Sequence, residues 1–196
     1  MYEKKSICLA IFILSSSFSF GQTENSRQHA GVTISLPWLN SYSYYNYNKN
    51  GIDSKTGLLG IGLSLFYQKN KNKFSLNGAF TNSIQFADVK GDGSEDINVQ
   101  LIEAIIHHTF FKNFNGITGF NYCNYKYTAS IFYPGLNYSI KKNDGVFGLT
   151  IGAELVCSKV FSLALFYRPA LYSFETKGSK HIISLDARFN INCWKK

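Results

Sequence analysis

The sequence predicts an all-β protein, a closed antiparallel up-and-down transmembrane β-barrel of eight strands, with ten as the alternative count. Three observations predict it. Stretches of strict two-residue alternation follow one another along the chain, and no amphipathic helix interrupts them. In each stretch the apolar face carries Leu, Ile, Phe and Tyr, while the other face is Gly, Ser, Thr, Asn and Ala with almost no charge. Short turns and longer polar loops alternate at regular spacing.

The chain opens on a segment that has to be set aside before any fold is considered. "MYEKK" is a charged n-region, "SICLAIFILSSSFSF" an apolar run too short for a membrane-spanning helix, and Ser19 and Gly21 are the small residues a signal peptidase reads. Residues 1–21 are therefore expected to be a signal peptide cleaved before Gln22, with 22–29 a short lead and 30–196 the barrel. Cys8 stands at the start of the apolar run, so no lipidated cysteine would head the exported chain. The remaining ~175 residues suit one domain. Charged residues make up 16% of the chain, against roughly a quarter in ordinary soluble domains. The formal charge of +8 would suggest nucleic acid in a cytoplasmic protein, but export removes that partner.

The strands read as follows. "GLLGIGLSLFYQ" sets Leu59, Ile61, Leu63, Leu65 and Tyr67 against Gly60, Gly62, Ser64 and Phe66. "KFSLNGAFTNS" sets Phe74, Leu76 and Phe80 against Ser75, Asn77, Ala79 and Thr81. "VFGLTIGAEL" and "FSLALFYR" repeat the pattern, and "KHIISLDARFNIN" closes the chain with Ile183, Leu185, Phe189 and Ile191 opposite Ser184, Asp186, Arg188 and Asn190. A soluble secreted barrel, the competing architecture, would show Lys and Glu to water on its second face. A face of small neutral residues suits a narrow lumen, which turns the large apolar side chains outward toward lipid. A closed barrel also pairs every backbone group, as a membrane-crossing sheet requires.

Spacing sets the count. Tight turns at "KNKN" (69–72), "KNFN" (112–115) and "CSK" (157–159) alternate with longer segments at "NYNKNGID", "VKGDGSED", "IFYPGLNYSIKK" and "ETKGSK". This is a hairpin ladder with periplasmic turns at one rim and outer loops at the other, and "IFYPGLNYSIKK" is an outer loop or strand extension if the count is eight. The last strand is then expected to pair with "GVTISLPW" at the start of the barrel.

The leader ending "SFGQ", with "GLSLFYQKNKNKFSLNGAF", "GLTIGAELVCSKVFSLALFYRPALY" and "HIISLDARFNIN", resembles the small outer-membrane β-barrel proteins of Bacteroidetes-type bacteria. The resemblance covers most of the exported chain and is one of pattern. It implies the fold and an outer-membrane location, and it transfers no activity or catalytic residue. The chain departs from the commonest barrel ending, a terminal aromatic, because Lys195 and Lys196 follow Trp194.

The alternation places Glu103, Glu154, Arg168, Asp186 and Arg188 in the lumen as a polar network, with Asp186 and Arg188 expected as partners of Glu103 and Arg168. Ions in so narrow a space have to be paired and hydrogen-bonded. The network is read as a plug that fills an eight-stranded lumen, the alternative being a constriction selecting ions or small solutes. Trp38, Tyr42, Tyr44, Tyr45 and Tyr47 are outer-loop contact candidates, because tyrosine and tryptophan suit the interface, sugars and protein surfaces alike. "HHTFF" raises an acyl-transfer reading through His107, Thr109 and Glu103, set aside because the cluster lies at the inner end. Asp88, Asp92, Glu95 and Asp96 resemble a calcium loop, but Lys90 and Val99 stand at ligand positions, so no metal is assigned. Cys157 and Cys193 share the periplasmic rim and form a candidate disulfide. No enzyme activity and no cofactor are expected. The expected partners are outer-membrane lipids and lipopolysaccharide, with the barrel-insertion machinery, and the surface ligand is unassigned.

Overall fold

Nine strands run in sequence through the computed structural model: β1 (Gln28–Asn46), β2 (Gly51–Thr56), β3 (Leu59–Lys69), β4 (Asn72–Asn82), β5 (Gly93–Phe111), β6 (Phe114–Tyr133), β7 (Leu136–Val156), β8 (Phe161–Ser173) and β9 (His181–Lys195). The structure describes residues 28–47, 49–82, 93–133, 136–176 and 178–195, so the expected leader lies outside the described residues. Each strand pairs antiparallel with its successor from β3 to β9, and β1 pairs with both β3 and β9. The ring therefore holds eight strands. β2 is the upper half of the second ring strand, separated from β3 at Gly57 and Leu58. Gly57 takes a positive φ of 72° there, and Asn40 across the gap accepts from the Leu58 N–H at 2.8 Å and donates to its carbonyl at 2.7 Å, so the interruption leaves that backbone satisfied.

The closing seam joins the two segments the alternation selected. Gly31 to Tyr42 run against Asn192 to Ile182, with irregularities at Ala30/Gly31 and Pro37/Leu39. At the first, a side chain on Gly31 would lie 2.0 Å from the Ile191 carbonyl, so only glycine lets the strands approach this closely. "IFYPGLNYSIKK" is a strand extension: β6 and β7 run paired from Phe114↔Leu155 to Tyr133↔Leu136. β1 begins at Gln28, two residues before the expected start of the barrel. The short turns fall at 70–71, 112–113 and 157–160, as the spacing predicts, with Asn70 in the left-handed conformation that asparagine tolerates.

Outward side chains form an apolar belt. Leu59, Ile61, Leu63 and Leu65 on β3, Leu76 on β4, Ile151 and Leu155 on β7, Leu165 on β8 and Ile183 and Ile191 on β9 are all exposed on the outer surface. On β6 the outward face passes from Phe120 and Tyr122 to Asn124 and Lys126, which marks the upper edge of the belt. Leu63 stands well inside it. Leu63→Arg is expected to lower the unfolding free energy in bilayers by about 2–4 kcal/mol, the cost of an arginine on the lipid face near midplane. Urea unfolding of the refolded protein measures it, and a change within about 0.5 kcal/mol, usual for a water-exposed position, would contradict a lipid-facing belt.

Candidate functional site

The lumen is filled in layers, and alternation decides which side chains fill it. Odd-numbered residues of β4, β5 and β6 and even-numbered residues of β7, β8 and β9 point inward, carrying Lys73, Glu103, Glu154, Arg168 and Arg188 from five strands to the barrel axis. They form two separate centres.

In the outer of the two, Arg168 grips Glu103 with a two-point fork. Its Nε donates to Oε2 at 2.9 Å and its Nη2 to Oε1 at 3.0 Å, while Nη1 donates to Ser184 at 2.9 Å. The same carboxylate accepts from Asn77 at 3.0 Å and from Thr150 at 2.9 Å. Four donors to one buried carboxylate offset much of the cost of removing its charge from water.

The inner centre is built on Glu154, which is fully buried. Oε1 accepts from Arg188 at 3.1 Å and Ser162 at 2.8 Å, and Oε2 accepts from Asn115 at 2.9 Å. His107 Nδ1 lies 2.9 Å and the Lys73 ammonium 3.4 Å from Oε2. The Phe166 ring separates the centres, with the Arg168 guanidinium 4.2 Å and that of Arg188 5.8 Å from its centroid. Ile105, Ile117 and Ala164 complete this apolar partition. A cavity of about 20 Å³ beside it is bordered by Glu103, Arg168, Asp186 and Arg188 and by apolar side chains such as Val99 and Leu101, room for a single water.

The five predicted luminal residues are thus all buried, but they do not meet as one network. Arg188 belongs to Glu154 and not to Glu103, and Asp186 makes no direct ion pair among the described residues. Glu154 stands level with Ala164, which stands level with Asp186, yet its partner is Arg188, two residues nearer the periplasm. Side-chain reach along a tilted wall, not ladder level, selects the partner. His107, Lys73, Asn77, Asn115, Thr150, Ser162 and Ser184 complete the centres. Their inward parity was the available signal.

Above the Arg168 centre, Tyr42, Tyr44, Leu101, Tyr125, Tyr127 and Val146 pack as an apolar cluster. This corrects the outer-loop assignment of Tyr42 and Tyr44, which lie in β1 with rings buried inside the barrel. The reason is the irregularity at Pro37/Leu39: Trp38 and Leu39 both face outward, after which inward positions change from odd to even numbers. Trp38 is on the lipid side at 74% exposure. Tyr45 and Tyr47 remain half-buried at the outer end, their rings 5.1 Å apart. Tyr44 donates to Glu95 at 2.9 Å, so one of the acids read as a calcium ligand is a hydrogen-bond acceptor for the barrel, while Asp88 and Asp92 lie outside the described residues.

The outer end is capped by Asp144, above the belt on β7, which pairs with Lys180 and accepts from Thr176 at 2.5 Å and Ser173 at 2.9 Å. Burial pushes the Asp144 carboxyl up, but these donors and the ammonium charge outweigh it and hold the group below its usual range.

Cys157 and Cys193 are free thiols, which corrects the candidate disulfide. Each sulfur turns back onto a carbonyl two residues earlier in its own chain, Leu155 at 3.7 Å and Ile191 at 3.8 Å. Both are exposed and Cys123 is buried. A water-soluble maleimide is expected to label two thiols per folded, exported barrel without reductant and a third only after unfolding, read by intact mass.

His108 does not join His107. It lies 2.7 Å from Asn72 Oδ1 and meets Phe110 edge-on at 5.0 Å, as an aromatic-girdle residue does.

An eight-stranded ring with a lipid-facing belt and a lumen packed with side chains defines a small transmembrane β-barrel of the outer-membrane type. Neither a protein-family model nor a curated protein sequence matches the chain. Among solved structures it is similar to Ail, the attachment invasion locus protein of Yersinia pestis, with a TM-score of 0.52 and 13% identity over 86% of this chain and 100% of that one. The complex of Ail with the heparin analogue sucrose octasulfate gives 0.50 and 12% over the same shares. Neisserial surface protein A gives 0.47 and 12%, again covering 86% of this chain and 100% of that one. At these identities the likeness is one of fold.

Proposed function

We propose that this protein is a surface barrel of a Gram-negative outer membrane, of the Bacteroidetes-type group its sequence resembles, exported through residues 1–21 and inserted by the barrel machinery among phospholipid and lipopolysaccharide. Its role is structural or interactive, exercised at the outer end, and its lumen is a plug. The observation that carries this reading is the pair of buried centres at Glu103 and Glu154, stacked on either side of Phe166 in a lumen whose described cavity there is about 20 Å³. A hydrated ion has no path past such packing without breaking an ion pair.

Two further observations support a non-enzymatic reading. His107 is committed to Glu154 at the inner end, whereas an ester-cleaving site for lipopolysaccharide belongs near the outer leaflet. The outer end presents basic and aromatic groups: Lys126, Lys141 and Lys142 are exposed, and the Lys142 ammonium lies 6.0 Å from the Tyr47 ring. A sulfated or otherwise acidic sugar suits such a surface, and Ail is known with a ligand of that chemistry. Tyr45 and Tyr47 are the positions to vary, because their rings are only half-buried at the outer end.

Planar-bilayer recording tests the proposal. The wild-type barrel is expected to give no steady conductance; ion-selective openings whose size changes in Arg168→Ala would replace the plug with a channel.

A further inference from the structure

The periplasmic mouth is built differently from the lumen above it. Below the Glu154 centre the barrel opens into a vestibule of about 400 Å³, the size of a small-ligand site. Each of the three short turns or its edge sends one lysine to it: Lys71 from the β3–β4 turn, Lys112 from the β5–β6 turn and Lys159 from the β7–β8 turn. Lys73 forms part of its inner wall, buried, its ammonium 3.4 Å from Glu154 and 5.5 Å from the Phe66 centroid. Glu154 is the one acidic side chain among the described residues lining the vestibule. Its oxygens are already engaged by Arg188, Ser162 and Asn115, at 2.8 to 3.1 Å, so Lys73 holds the longest of its contacts. Four lysines thus line a partly enclosed space with one carboxylate, which is already paired with Arg188. Asn115, Asn190 and Asn192 add neutral amides to the same wall.

We propose that this vestibule binds a phosphate-bearing anion, with Lys71, Lys112 and Lys159 closing on it from three sides and Lys73 meeting it at the base. Ammonium groups on flexible stems neutralise phosphate oxygens as point charges, and low-dielectric walls lined by one sign of charge concentrate the opposite ion. A polyvalent phosphate gains more from such convergence than chloride does. Lys69, the last residue of β3, does not line the vestibule, so the lysines of this rim do not all face the mouth. The phosphate can belong to a free periplasmic solute or to a lipid headgroup reaching over the rim.

The test uses the refolded barrel in nanodiscs of phosphatidylcholine, titrated with inorganic pyrophosphate by calorimetry at low and moderate salt. Wild type is expected to bind at one site per barrel and to weaken with salt. The variant Lys71→Ala/Lys112→Ala/Lys159→Ala, changed only at exposed turn positions, is expected to lose at least about tenfold in affinity. Lys49→Ala/Lys55→Ala/Lys69→Ala, the same charge change at lysines that do not line the vestibule, should match wild type within about twofold, and heat-dependent gel mobility confirms that both variants fold. Nanodiscs containing phosphatidylglycerol separate the sources. A headgroup occupant weakens pyrophosphate binding to wild type and leaves the vestibule variant without lipid dependence, whereas a free-solute site binds pyrophosphate equally in both lipids. Absence of saturable binding in phosphatidylcholine, or equal losses in the two triple variants, overturns the proposal.

Discussion

Glu154→Ala is expected to lower the unfolding free energy of the refolded barrel by about 3–5 kcal/mol, the cost of leaving buried charges without their partner. The substitution removes the acceptor shared by Arg188, Ser162, Asn115, Lys73 and His107, five groups carried on five different strands. Arg188 is only 1% exposed and cannot reach water in compensation. Glu154→Gln should cost less, since an amide oxygen still accepts from Arg188 and its shape fills the same space. The pair Glu154→Leu/Arg188→Met should cost less than the sum of its single changes, because removing both charges abolishes the unpaired state that makes each single change expensive. Urea unfolding of these three variants and of the single changes Glu154→Leu and Arg188→Met, in micelles, measures these differences. A loss near 1 kcal/mol for Glu154→Ala would mean that water reaches the centre from the vestibule.

Arg168→Ala should cost a similar amount, about 3–5 kcal/mol, for the mirror-image reason. It strands Glu103, 3% exposed, with Asn77 and Thr150 as its remaining donors. Arg168→Lys separates charge from geometry: an ammonium keeps the charge but cannot donate to both carboxylate oxygens and to Ser184 in one plane. Its stability is expected between those of wild type and the alanine variant. The same urea series gives the value, and equality of Lys and wild type would show that the fork contributes nothing beyond its charge.

The faces of the strands were legible because they rest on a physical constraint repeated along the chain. In "GLLGIGLSLFYQ" or "FSLALFYR" a barrel wall leaves no choice between lipid and lumen, so Leu63 and Leu165 face out and Ser64 and Ala164 face in. The regular turns made the count eight, and the seam followed from closure. Pairing across the lumen was not legible. Glu154 and Arg188 lie on strands separated by β8, and their meeting depends on stagger and side-chain reach, neither of which is written in alternation. Tyr42 and Tyr44 were misplaced because one irregularity beside Pro37 shifts the inward positions, and a proline followed by a tryptophan does not say which way the strand resumes. The Asp144–Lys180 pair joins β7 to the loop before β9. Its only sequence trace is a lysine just ahead of the closing strand.

The seam between β1 and β9 also sets the order in which the molecule can be assembled. Thr33 donates to Asn190 at 2.7 Å across 157 positions of chain, so β1 has its partner in a strand made only after every other strand of the ring. Until that partner arrives, β1 is an open edge able to pair with any passing strand. The wait covers the synthesis of everything in between. A chain ending before His181 retains β1 and β8 as two unsatisfied edges and has no way to close on itself, however well its hairpins have formed. Completion of β9 is thus the event that turns a curled sheet into a ring.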